Sequence, residues 1–105
     1  MKEYQTTLRV LIIQEPDGLW AAQCIDHDIV AQGKSIKDAK IAFEETVIGQ
    51  ILRDLRRNRE PLGAFPPASS IFQELYEKAK DVTLADKGPI FPACNNITKE
   101  FRVAA

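Results

Sequence analysis

Gly33-Lys34-Ser35-Ile36-Lys37-Asp38-Ala39-Lys40-Ile41-Ala42-Phe43 is where the chain changes its hydrophobic period, and this stretch decides the fold. Before it, apolar residues alternate with a period of two; after it, they recur at three- and four-residue steps. Ser35 carries a hydroxyl suited to accept the free N–H groups of a first helical turn, and Asp38 completes a capping-box-like pair. Ile36, Ala39, Phe43, Val47, Ile51 and Leu55 then share one stripe, which predicts a helix running to about Arg57. Gly49 inside it costs about 1 kcal/mol relative to alanine, and its missing side chain is read as room for a neighbouring strand.

Upstream, residues 6–14 (TTLRVLIIQ) are rich in β-branched residues, with Leu8, Val10 and Ile12 on one face. Leu11 and Ile13 make the other face partly apolar, so this strand is expected to be central or covered on both sides. Glu15-Pro16-Asp17-Gly18 is a hairpin turn, followed by a strand from Leu19 to Ile25. Trp20, Ala22 and Cys24 share one face of it, and Trp20 is expected in the core. Asp26-His27-Asp28 is a polar connection, and Ile29–Gln32 a short third strand ended by Gly33.

Downstream, Pro61-Leu62-Gly63-Ala64-Phe65-Pro66-Pro67-Ala68 reads as a stiff, extended linker. Ser70 and Gln73 form a second capping box, before an amphipathic helix containing Ile71, Phe72, Leu75, Tyr76 and Ala79. Asp81–Leu84 fits a fourth strand, Asp86–Asn96 a loop, and Ile97–Ala105 either a terminal strand or a tail. The expected class is α+β: a three- to four-stranded, mainly antiparallel sheet in the order β-β-β-α-(α)-β, with one long helix on one face. Residues 1–84 are taken as the domain and 85–105 as a C-terminal tail with room for one extra strand.

The chain has 105 residues and a net charge of −1, so no global field draws it to nucleic acid or to an anionic membrane. No apolar run approaches the roughly 18–20 residues that a membrane helix needs, and the N-terminus has no secretory pattern; a cytoplasmic location is expected. Cys24 and Cys94 match no metal or redox spacing and are read as free thiols.

The junction residues carry a resemblance. Pro16-Asp17-Gly18-Leu19-Trp20-Ala21-Ala22-Gln23-Cys24 resembles the hairpin of the HicB-like antitoxin family. The run from Ile29 through Gly33 and Ser35 to Ala39 is similar to that family's strand–glycine–helix segment, and Pro61–Ser70 to its proline-rich stretch. The likeness covers roughly residues 6–84. It implies a partial ribonuclease-H-like fold and a non-catalytic module that binds and blocks a small HicA-type ribonuclease toxin and self-assembles into a homo-oligomer. Many members add a C-terminal DNA-binding domain. Only about 21 residues follow Leu84, too few for one, so operator binding is not expected. Two alternatives stand beside this reading: a stand-alone HicB-like regulator with a different partner, and a degenerate metal-dependent nuclease.

Nuclease chemistry needs several carboxylates converging on metal ions. Asp26 and Asp28 are two apart, Asp17 sits in another turn, and Glu44 and Glu45 ride the helix, so no such set is assigned. His27 is the only histidine and is expected at the surface; Cys24 nearby is read as a buried hydrophobe, not a nucleophile. Cys24, His27 and Cys94 lack a fourth zinc ligand. Arg53, Arg56, Arg57 and Arg59 are read as a solvated face that complements the helix dipole, with a phosphate or acidic-partner patch as the rival. No catalytic, cofactor-binding or metal-binding residue is assigned, and no cofactor is expected.

Overall fold

A computed structural model describes residues 6–79, 88–89 and 97–104. The first strand, β1 (Thr6–Gln14), turns through Pro16–Gly18 into β2 (Trp20–Cys24). Gly18 takes φ 90° at that turn, where a side chain would be strained, and the Asp17 carboxylate accepts the Leu19 N–H at 2.9 Å. β3 (Val30–Gly33) pairs antiparallel with β2. The sheet is completed by β5 (Ile97–Val103), which runs parallel to β1, and by β4, a two-residue strand at Gly88–Pro89 on the outer side of β5. The strand order is β3-β2-β1-β5-β4. β1 is therefore internal, as its two apolar faces predicted. The terminal segment is a strand of this same sheet, and its pairing with β1 makes the sheet mixed. Gly88–Pro89 falls within the stretch expected to be loop; the fourth strand expected at 81–84, and Cys94, lie outside the described residues.

Two helices lie on opposite faces. α1 (Ile36–Arg56) begins at Ser35, whose Oγ accepts the Asp38 N–H at 3.0 Å. Its buried residues Ala39, Phe43, Val47 and Ile51 pack onto Leu8, Val10, Ile12, Ala22, Cys24 and Phe101. Phe43 and Phe101 meet edge-on, with centroids 6.2 Å apart and planes at 81°, the arrangement that ring quadrupoles favour. Burying each such side chain is worth about 1.5–3 kcal/mol. Trp20 packs against the margin of this core and stays partly exposed. α2 (Ser70–Lys78) covers the other face, with Tyr76 and the following Ala79 set against Leu11 and Ile25.

Four local expectations are corrected. Leu55 is 53% exposed, and the inward position at that turn belongs to Asp54 at 2%. A period of 3.6 puts either residue 54 or 55 above Ile51, and the returning chain selects Asp54 by offering it a backbone N–H. Gly49 approaches no strand: a Cβ there meets only Arg53 Nη1, at 3.7 Å. The close approach is at Gly33, where a Cβ would lie 2.4 Å from the Ala39 nitrogen. α2 is capped by Ser69, not Ser70; no side-chain hydrogen bond forms at that cap, and Gln73 Nε2 instead donates to the Ala68 carbonyl. Finally, the proline-rich linker is not extended throughout. Residues 61–64 turn, with Gly63 and Phe65 N–H donating to Glu60 and Leu62 carbonyls and Leu62 at φ 63°.

Candidate interaction surface

The acidic connection between β2 and β3 serves to tie the backbone. Asp26 accepts from the Arg9 backbone N–H at 2.9 Å and from its guanidinium Nη2 at 2.8 Å. Asp28 accepts from Gln23 Nε2 at 3.0 Å. Asp17 caps the hairpin, and Glu44 pairs with Lys99 across the α1–β5 contact, while Glu45 is exposed on α1. These carboxylates are divided among the hairpin turn, the β2–β3 connection and α1, and Asp17, Asp26, Asp28 and Glu44 each have a different partner. Among the described residues, no group of three His, Cys, Asp or Glu side chains is gathered as a metal would require.

His27 is half-buried, with Nδ1 3.4 Å from the Phe65 carbonyl, so it packs under the linker instead of standing in solvent. Cys24 is fully buried in the α1-facing core, and desolvation pushes its thiol up to about 11. It behaves as a small hydrophobe. Tyr76 is likewise pushed up to about 12 by burial, with Arg9 and Arg102 lying 5.8 and 4.3 Å from its ring centroid. Its phenol is neutral at any physiological pH and its ring serves as a stacking platform.

The arginine cluster divides. Arg53 Nη2 donates to Gln50, and Arg57 closes the helix through its backbone N–H. Arg59 lies 3.9 Å from Asp54. Arg56 projects into solvent. Asp54 is a structural residue to which the sequence reading assigns no role; it is buried and holds the returning chain. Its depressed pKa comes first from the hydrogen bond to the Leu62 backbone, then from Gln50 and the nearby arginines.

Three further features of the surface stand out. The first is a second row on α1: Ile41, Ile48, Leu52 and Leu55 follow one another at seven-, four- and three-residue steps and so form one line beside the buried row. Ile41, Leu52 and Leu55 are 44%, 44% and 53% exposed. Only their spacing could have revealed the row, and Leu55 had been assigned to the core. The second is a groove of about 320 Å³ on the α2 side of the sheet, between Phe72 and the β2–β3 half, floored by Ile13, Ala21, Gln23 and Val30. The third is the outer edge of β3, beside which no further strand lies among the described residues.

No protein-family model matches the chain, and neither a curated protein nor a solved structure matches it significantly. The fold and these surfaces define an α+β domain. Among the described residues, no helix is long and apolar enough to cross a membrane.

Proposed function

We propose that this chain is a non-catalytic, protein-binding module of the HicB-like antitoxin kind, which blocks a small HicA-type ribonuclease by covering its RNA-binding surface. The observation that carries the reading is the outer row of α1. A helix that has already buried one full apolar stripe keeps a second one, Ile41, Leu52 and Leu55, in water. Apolar side chains aligned on a rigid helix are anchors for a partner. Arg56 and Glu45 rim the row with both signs of charge, which suits orientation of a protein partner better than attraction to a polyanion. The element order, the glycine before a serine-capped helix and the helix-on-sheet packing support the family reading. The chemistry of the β2–β3 carboxylates supports the non-catalytic part, since Asp26 and Asp28 are engaged by Arg9 and Gln23.

Co-expression with a HicA-type ribonuclease tests this. The expected result is a complex that survives purification and is lost on L52D/L55D substitution, which changes two exposed positions and leaves the core alone. A ribonuclease that never co-purifies with the chain, or that binds the double variant equally well, contradicts the reading.

A further inference from the structure

We infer that the groove between Phe72 and the β2–β3 half of the sheet binds a small, flat aromatic molecule that carries an N–H donor and no negative charge, the indole class. The inference is independent of the docking role proposed for α1. It concerns the other face of the sheet and a free small molecule, so either reading can fail alone.

The site is organised by one amide. Gln23, on β2, is 5% exposed and lines the groove. Its Nε2 donates to the Cys24 carbonyl and to the Asp28 carboxylate, both at 3.0 Å. Each of these groups can only accept, so the amide cannot be turned over, and Oε1 points the other way. Among the described residues, none donates to Oε1. The atom is not sealed off either: among the described residues, the Tyr76 hydroxyl is the one fully enclosed side-chain polar atom without a partner. The Gln23 acceptor therefore opens into the groove. The carboxylate behind the amide polarises it and strengthens Oε1 as an acceptor. An acceptor fixed in a mostly apolar hollow favours a ligand that brings a donor.

The walls set the rest of the ligand. Ala21 is paired with Ile13 on one side and with Gln32 on the other. Its single methyl leaves the floor low between them, and Val30 extends the apolar surface. Phe72, from α2, offers an aromatic side on which a flat ring can stack. Gln32 Nε2 donates to Glu15 Oε1, and both residues line the groove. A carboxylate is thus held at the mouth, where it disfavours an anionic ligand. The volume, about 320 Å³, is at the small end of ligand sites and suits a bicyclic ring.

An NMR titration of the intact, methyl- and amide-labelled chain with indole decides the matter. Indole is expected to shift the Ile13, Ala21 and Val30 methyls and the Gln23 side-chain amide in one saturating process. The expected dissociation constant is about 1 mM or tighter, with Ile41, Leu52 and Leu55 on α1 unmoved. Benzofuran has the same shape with oxygen in place of N–H, and is expected to bind about tenfold more weakly. Indole-3-carboxylate is expected to weaken by a similar factor, about tenfold, through Glu15. V30W fills the groove from a position that is 54% exposed, and is expected to raise the indole dissociation constant about tenfold. The benzofuran comparison needs no variant and stands whatever V30W does to the fold. Shifts that do not saturate or that spread equally to α1, benzofuran or the carboxylate binding as tightly as indole, or a folded V30W that binds indole unchanged each overturns the proposal.

Discussion

The Asp54 carboxylate, on the last turn of α1, accepts the backbone N–H of Leu62 through Oδ2 at 2.8 Å. Gln50 Nε2 donates to its other oxygen at 3.1 Å. This buried acceptor stops the helix, turns the chain at residues 61–64 and delivers the Leu62 side chain to the core. Its pKa is held below the usual 3.8 by these bonds. A depressed folded-state pKa adds stability that is complete above the unfolded value and is lost as pH falls through the folded one. Asp54→Asn should therefore be less stable than wild type at pH 7, and the gap should close on acidification below about pH 4. Urea midpoints of the two proteins measured across this range check it; a gap that does not change with pH contradicts the role of the charge.

Two glycine substitutions should act in opposite directions. At Gly33, an added Cβ collides with the backbone at Ala39 and Asp38, at 2.4 and 2.6 Å, and rigid backbone cannot yield cheaply. Gly33→Ala should cost about 1–3 kcal/mol, as overpacking does. At Gly49 a Cβ finds only the tip of Arg53, so Gly49→Ala should gain up to about 1 kcal/mol from helix propensity. Thermal or urea unfolding measures both.

Arg9 and Asp26 should prove unequal partners. The Arg9 side chain is 42% exposed, and an ion pair in such a setting contributes less than about 1 kcal/mol, so Arg9→Gln should be mild. Asp26→Ala also strips the Arg9 backbone N–H of its acceptor. That orphaned donor should bring the loss to about 1–3 kcal/mol. Equal losses for the two variants, read from urea midpoints, would count against the backbone role of Asp26.

Cys24 should resist alkylation in the native protein. With its thiol near 11, about one in a thousand is ionised at pH 8, and the sulfur is fully buried. Peptide mapping after iodoacetamide should find Cys24 unmodified in buffer and modified in denaturant. Rapid native labelling would show that the strand opens or that the thiol is activated.

The parts of this fold that were legible in the sequence are those set by neighbours along the chain. Ser35 caps α1 because its hydroxyl reaches an amide three residues on. Pro16–Gly18 turns because of its own φ preferences, and β1 announced its central place by being apolar on both faces. What stayed hidden depends on distant groups. Nothing near Asp54 signals that Leu62 will supply an amide, and so Leu55 was placed inward by a period that fits either residue. β5 alternates like any edge strand, and nothing in its own residues signals that it pairs parallel with β1. Ser69 and Ser70 are adjacent candidates for one cap, and sequence alone does not rank them. The candidate surface was less legible still. An exposed row on α1 is visible only after the buried row has been assigned correctly, and an open edge only after the strand order is known.

The central claim, that this surface docks a ribonuclease and performs no chemistry of its own, is tested most directly by titrating the purified chain into a HicA-type ribonuclease and following RNA cleavage with magnesium present. The account predicts that cleavage falls to zero at a fixed stoichiometry, that L52D/L55D fails to suppress it, and that the chain alone leaves the RNA intact. Undiminished cleavage at excess chain, or cutting by the chain itself, would contradict it.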